Sequence, residues 1–124
     1  MSVFYGLRGT QYDIPAEGSI LFIEDVGERP HAIERMMYNL KLGGILGKLS
    51  GLIIGQFTEY EENLSLGKEL YDALADLVRE YDYPICFNFP VGHVTMNTPL
   101  INGAKVTLEI EDKEVKLNFN IHKE

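Results

Sequence analysis

The 124-residue sequence is poor in cysteine, in basic residues and in long apolar runs. Its one cysteine, Cys86, excludes an internal disulfide and a cysteine-rich zinc site, and it fits a reducing compartment. Lysine and arginine number 11 against 19 acidic residues, and the net charge of −8 argues against binding nucleic acid or an anionic membrane through overall charge. No apolar stretch approaches the ~20 residues that cross a bilayer, and the first residues lack the charged-then-apolar plan of a signal peptide. We therefore expect a cytoplasmic protein without nucleic-acid or membrane partners.

What is present is the composition of one globular domain, with 45% hydrophobic and 24% charged residues. We predict that residues 1–124 form a single domain with its own core. Apolar runs bounded by turn residues predict strands at 19–24, 49–57 and 85–89. Alternation of apolar and polar residues at 105–111 and 115–121 predicts an antiparallel hairpin that turns at 112–114.

Two helices are predicted between the three strands. The first begins near Pro30, and its apolar face has the spacing i, i+3, i+4 and i+7, at Ile33, Met36, Met37 and Leu40. The second is capped by Ser65 and has apolar positions at Leu66, Leu70, Ala73, Leu74, Leu77, Val78 and Tyr81. Residues 1–8 predict a helical turn that Ser2 caps. The order β-α-β-α-β predicts an α/β fold: a short parallel sheet with right-handed crossovers, helices and a packed hairpin.

Polar side chains follow each predicted strand of the parallel sheet. Glu24 and Asp25 follow the first strand, Thr58 and Glu59 the second, and His93 lies just past the third. Ligands of open α/β sheets bind outside the carboxyl ends of the strands. If the first and third strands are neighbours, Glu24 and His93 come within reach of each other. A carboxylate beside an imidazole suits a general base and its orienting acid, two thirds of a nucleophilic triad.

Each of these residues also has a plainer interpretation. Glu24 could be an acid at a helix N-terminus, and Asp25 and Glu28 are stronger candidates for that capping role. His93 could be a turn residue. We expect His31, in the first helical turn, and His122, near the C-terminus, to be solvated.

Other reactive residue types have structural interpretations as well. Cys86 in an apolar strand is typical of inert core. No serine lies in a Gly-x-Ser-x-Gly elbow: Ser2 and Ser65 suit helix caps, and Ser19 and Ser50 suit strand starts. The acids at 59, 61 and 62 could contact a cationic amine or a divalent ion, but a solvated loop is the simpler interpretation. The pair Met36 and Met37 suits the core, and Gly51 and Gly55 indicate a bulge or a close backbone approach.

Several segments together resemble the C-terminal domain of the LD-carboxypeptidases, the serine peptidases of murein recycling. The likeness spans essentially the full sequence, and its most specific parts are 20–28 and 90–93. Further matches lie at 7–13, 33–37 and 52–57, and at Asn97, Pro99, Leu100, Gly103 and Ala104. The sequence departs from the usual family pattern at Gln11 and Glu34, neither of which is a triad position.

This resemblance implies a fold, an activity and a site. The fold would be of the swivelling β/β/α kind, and the family triad Ser-Glu-His would map onto Glu24 and His93, with its serine on an N-terminal domain that this sequence lacks. The substrate would be a murein tetrapeptide from which D-alanine is removed, with no metal or organic cofactor. We expect the chain alone to be inactive. A second hypothesis is a non-catalytic binding or dimerisation module, and either hypothesis allows a homodimer.

Overall fold

The computed structural model describes residues 1–61, 69–112 and 114–120. In these ranges the order of elements is α1 (Ser2–Tyr5), β1 (Ile20–Ile23), α2 (Pro30–Leu42), a 3-10 turn (Leu46–Lys48), β2 (Gly51–Ile54), α3 (Leu70–Val78), β3 (Ile85–Cys86), β4 (Val106–Glu111) and β5 (Glu114–Phe119). The predicted α/β order is confirmed. None of the helices within the described ranges is long and apolar enough to cross a membrane.

The first three strands form a parallel sheet in the order β1-β2-β3. Ile20 pairs with Gly51 and Ile23 with Ile54, while Ile53 pairs with Cys86 on the other side of β2. The first and third strands are therefore not neighbours, and the adjacency through which we expected Glu24 and His93 to meet is wrong. Any contact between these two side chains has to form across the end of β2.

The strands of the sheet are shorter than their apolar runs predicted. β3 ends at Cys86 rather than at residue 89, because the chain turns out of the sheet at Asn88, whose φ is +57°. It then returns to β2, where the Phe89 amide donates to the Ile54 carbonyl at 3.1 Å. An apolar run does not reveal such an excursion, because the exposed Phe87 is as apolar as the buried Cys86 and the partly buried Phe89 around it.

The two longer helices build the core on one side of the sheet. α2 begins at Pro30 as predicted, and all four residues of its predicted apolar face are buried. α3 buries five of its predicted apolar positions, namely Leu70, Ala73, Leu74, Leu77 and Val78. Ser65 and Leu66, the predicted cap and first apolar position, lie outside the described residues. The helices and sheet share one cluster of buried side chains that includes Ile23, Leu52 and Ile54.

The antiparallel hairpin packs on the other side of the sheet. β4 and β5 pair from Val106 opposite Phe119 to Glu111 opposite Glu114. Gly51 makes room for this layer, because a Cβ at that position would lie 3.2 Å from the Leu108 side chain. The atoms nearest to this Cβ belong to side chains, and β1 pairs with β2 in regular register at Gly51, so neither the close backbone approach nor the bulge predicted there is found. Residue 113 of the predicted turn lies outside the described ranges.

An ion pair between Arg8 and Asp13 stabilises the turn that follows α1 in the amino-terminal segment. Helix α1 has Met1 at its N-cap, so the prediction that Ser2 caps it is wrong. After α1, the Arg8 guanidinium binds both carboxylate oxygens of Asp13, with one N–H···O distance of 2.6 Å. The Gly9 amide donates to the same carboxylate at 2.8 Å and the Ile14 amide at 2.7 Å. The amide of Gly9, the Arg8 side chain and the amide of Ile14 hold the pKa of Asp13 at about 2.

Replacing Asp13 by asparagine is expected to destabilise the fold at neutral pH and not at pH 2. The folded-state pKa is lowered from an unfolded value of about 3.9, so this carboxylate contributes stability above pH ~4 and loses it as the pH falls towards ~2. Thermal unfolding of Asp13→Asn and of the wild type at pH 7, 4 and 2 measures the difference in Tm. Asp82→Asn, at an exposed carboxylate, is the control. A Tm difference that stays constant with pH would contradict this role of Asp13.

Candidate functional site

Glu24 is the first residue beyond β1, at the carboxyl end of the parallel sheet. Its Oε2 lies 3.0 Å from Nδ1 of His93. The glutamate side chain is 21% exposed and the histidine side chain 61% exposed. The two residues proposed from the sequence therefore touch, and the histidine ring is open to solvent beyond the contact.

The contact forms because the chain after β3 crosses the end of β2. The Gln56 amide donates to the Val91 carbonyl at 2.9 Å, and Gln56 pairs with Gly92 in an isolated parallel bridge. Residues 89–92 thus continue the parallel pairing beyond the excursion at Asn88. They cross the carboxyl end of β2, and His93 therefore lies beside Glu24. Glu24 and His93 thus meet through this crossing and not through neighbouring strands.

Two glycines permit the crossing. A Cβ on Gly55 would lie 2.6 Å from the Val91 carbonyl oxygen, so the close approach or bulge predicted at Gly55 is confirmed. A Cβ on Gly92 would lie 2.7 Å from the Gln56 carbonyl oxygen and 3.2 Å from Oε2 of Glu24. The space that a side chain would fill at Gly92 is where the Glu24 carboxylate lies.

Asn97 stabilises the loop of residues 90–98 that carries His93, which we call the histidine loop. Its Oδ1 accepts a hydrogen bond from the Gly92 amide at 3.1 Å. The Thr98 amide closes the loop by donating to the Pro90 carbonyl at 2.7 Å. Asn97 was part of the matched segments, but nothing in its sequence surroundings indicated a bond to the residue before His93.

The arrangement of Glu24 and His93 has a definite chemical capacity. A neutral imidazole that donates from Nδ1 to Glu24 presents the lone pair of Nε2, which can accept a proton. The carboxylate fixes this tautomer and stabilises the imidazolium formed when the proton arrives. Within the described residues, no serine hydroxyl is hydrogen-bonded to His93. The pair is suited to general base catalysis on a group brought from elsewhere.

The capping roles predicted for Asp25 and Glu28 are wrong. α2 has no side-chain capping hydrogen bond at its N-terminus, where Arg29 is the N-cap. Asp25 is 8% exposed, accepts from the Ser2 amide at 2.6 Å and lies 3.2 Å from the Met1 amino group. Burial raises the pKa of Asp25, but these bonds outweigh burial and lower the pKa below its ordinary value. Asp25 thus fastens the amino-terminal segment beneath the site.

The remaining candidates fall outside the site. Cys86 is buried, and burial raises the pKa of its thiol, as expected of an inert core residue. Ser50 donates to the Gly18 carbonyl at 2.7 Å and Ser19 to the Pro15 carbonyl, so both brace the turn before β1. His31 is exposed as predicted, and His122 lies outside the described residues.

The acidic loop shows no metal-binding arrangement in the part of the chain that is described. Glu59 and Glu61 are exposed, and Glu62 lies outside the described residues. Across residues 1–61, 69–112 and 114–120, no group of three or more His, Cys, Asp or Glu side chains could hold a metal ion.

A groove lies beside the outer edge of β1, which is an edge strand of the sheet. It is lined by β1, by Phe4 and Ile14 of the amino-terminal segment, and by residues 102–106, which lead into β4. Glu24 also lines this groove. The backbone edge of a strand in a mostly apolar groove can accept an extended peptide by strand addition.

Two curated relatives resemble most of the chain. The Bacillus subtilis (strain 168) protein named "Probable murein peptide carboxypeptidase" is 31% identical over 126 residues, covering 98% of this chain and 38% of the relative. The Pseudomonas aeruginosa protein named "Murein tetrapeptide carboxypeptidase" is 30% identical over 96 residues, covering 74% of this chain and 30% of the relative. The chain therefore spans well under half the length of these relatives.

A solved structure and a family model complete the comparison. The crystal structure of muramoyltetrapeptide carboxypeptidase from Oxalobacter formigenes matches 98% of this chain and 43% of its own, with a TM-score of 0.87 and 27% identity. Residues 1–108, which include Glu24 and His93, match the family model described as LD-carboxypeptidase C-terminal domain. The resemblance inferred from the sequence is confirmed. The chain belongs to the LD-carboxypeptidase family, whose C-terminal domain it represents.

Proposed function

We propose that this chain supplies the glutamate and histidine of a Ser-Glu-His triad in a serine carboxypeptidase. The substrate is a murein tetrapeptide, from which the enzyme removes the terminal D-alanine in the cytoplasm during cell-wall recycling. The serine belongs to an N-terminal domain that partners residues 1–124, themselves a single domain. The isolated chain is inactive, and no cofactor takes part.

The observation that carries the proposal is the 3.0 Å contact between Nδ1 of His93 and Oε2 of Glu24. Nε2 of His93 accepts the serine proton as the serine oxygen attacks the carbonyl carbon of the residue before D-alanine. His93 then returns this proton to the amine nitrogen of D-alanine as the C–N bond breaks. A water molecule, deprotonated by the same nitrogen, hydrolyses the acyl-enzyme and restores the serine. Glu24 keeps the imidazole in one tautomer throughout.

The substrate class rests on the names of two relatives and on the groove. The relatives from Bacillus subtilis and Pseudomonas aeruginosa are named for murein peptides. The groove beside β1 includes Glu24 and suits an extended peptide chain. A tetrapeptide bound along this edge has one end near the proposed general base and its orienting acid.

The test is reconstitution from two pieces. The chain is mixed with a serine-bearing N-terminal domain of the family, association is measured by analytical ultracentrifugation, and release of D-alanine from a murein tetrapeptide is followed. We call this mixture the reconstituted enzyme. Activity that requires both pieces is expected. A mixture that associates but releases no D-alanine would overturn the triad proposal and favour the alternative, a non-catalytic binding or dimerisation module. Analytical ultracentrifugation of the chain without the N-terminal domain shows whether it forms a homodimer.

A further inference from the structure

The parallel pairing of β1 and β2 changes register just before the site. Ile23 pairs with Ile54, but Val26 pairs with Thr58. Three steps along the first chain segment, from 23 to 26, thus match four steps along the second, from 54 to 58. The one extra residue defines a β-bulge within 55–57. Bulges of this kind re-aim side chains and are common beside active sites.

The bulge turns two backbone groups away from their expected partners. The Gly55 amide donates to the Ile23 carbonyl at 2.8 Å, and in a regular parallel ladder the Gly55 carbonyl and the Phe57 amide would bond to the β1 segment in turn. Instead of bonding to β1, both bond to the hydroxyl of Tyr71 on α3. The hydroxyl donates to the Gly55 carbonyl at 3.1 Å and accepts from the Phe57 amide at 3.1 Å.

Gln56 lies between Gly55 and Phe57, and it is the residue to which the histidine loop is hydrogen-bonded. Gln56 donates its amide to the Val91 carbonyl at 2.9 Å and pairs with Gly92, directly before His93. The Tyr71 hydroxyl thus fixes the backbone on both sides of Gln56. A shift of Gln56 would move Gly92 and hence the contact of His93 with Glu24.

We propose that Tyr71 is a positioning residue: its hydroxyl locks the bulge at 55–57 and thereby holds His93 against Glu24. The importance of Tyr71 for the reaction rests on the proposed function. Its effect on the contact between His93 and Glu24 does not. The phenol ring has its own packing, edge to face with Phe57 at 6.3 Å between centroids. Tyr71→Phe therefore keeps the ring in place and removes only the hydroxyl.

The first experiment reads the histidine tautomer in the chain alone. In wild type at alkaline pH, long-range ¹H–¹⁵N NMR spectra are expected to show His93 with its proton on Nδ1. Tyr71→Phe is expected to shift the spectrum towards the Nε2 tautomer, which dominates in free imidazole side chains. Tyr83→Phe is the matched control, because within the described residues the Tyr83 hydroxyl is buried without a hydrogen-bond partner. A Tyr71→Phe spectrum equal to that of Tyr83→Phe would overturn the proposal.

The second experiment measures the reconstituted enzyme. Tyr71→Phe is expected to lower kcat by about ten- to a hundred-fold, with KM nearly unchanged, because misplacement of a reacting group affects the chemical step. Tyr83→Phe should leave both values unchanged. If a wild-type mixture that associates releases no D-alanine, the proposed function fails while the tautomer experiment still decides the positioning role. Should Tyr71→Phe not fold, hydrogen exchange of the wild-type Phe57 amide decides: protection is expected, and exchange at the rate of an exposed amide refutes the bond.

Discussion

Replacing His93 by alanine is expected to lower kcat of the reconstituted enzyme by about 10⁴- to 10⁶-fold, the range seen when a triad histidine is removed. No other described side chain hydrogen-bonds to Glu24 so as to take over as base. Binding of the tetrapeptide and association of the two pieces should persist, since the His93 side chain is 61% exposed and carries little packing. The measurement is the steady-state rate of D-alanine release, with binding followed separately by calorimetry.

Glu24→Gln separates the orienting role from the base. Glutamine keeps the shape of the side chain but can present an amide N–H to Nδ1, which selects the wrong tautomer, and a loss of about 10⁴-fold in kcat is expected. His31→Ala, at an exposed histidine in the first turn of α2, is the matched control and should be as active as wild type. Activity of His93→Ala within ten-fold of wild type would show that His93 is not the base, whatever Glu24→Gln does.

Local sequence patterns predicted the helices and strands and the two residues of the Glu24–His93 contact. They did not predict the path of the backbone that brings these residues together. The apolar run 20–23 followed by two acids located the end of β1, and the spacing of Ile33, Met37 and Leu40 predicted the buried face of α2. These are short-range patterns, in which the period of the side chains follows from the geometry of one element. The motif around His93 added that a polar side chain follows the third strand.

The remainder depends on long-range backbone pairing. Pairing between distant backbone segments determines the strand order, the excursion at Asn88 and the bond from Gln56 to Val91. A single apolar run does not show which segment it pairs with. Tyr71 was missed for the same reason, because its position on α3 reads as one more residue of a helix. The capping role predicted for Asp25 is wrong because an acid before a helix resembles a cap in the sequence. In the structure its carboxylate instead accepts a hydrogen bond from the amide of Ser2, 23 residues away. Gly55 was the one long-range signal that could be read, since a glycine within a strand often marks a bulge.

Replacing Gly92 by alanine is expected to separate Glu24 from His93 without removing either. The added Cβ would lie 2.7 Å from the Gln56 carbonyl oxygen and 3.2 Å from Oε2 of Glu24, so backbone, carboxylate or both must move. The φ of +133° at Gly92 adds backbone strain, of order 1–3 kcal/mol for a residue with a side chain. A shift of about 1 Å in the histidine is enough to cost roughly 10²-fold in rate.

The matched control for Gly92→Ala is Gly44→Ala, at the opposite end of α2 from the site. Gly44 also has a positive φ, +74°, but a Cβ there would meet nothing within 4 Å. Denaturant unfolding should show that both variants are less stable than wild type, whereas only Gly92→Ala should lose kcat and the Nδ1 tautomer of His93. The two glycines thus separate backbone strain from crowding of the Glu24 carboxylate. Equal kcat for both variants would mean that the space beside Gly92 is not what lets the carboxylate reach the histidine.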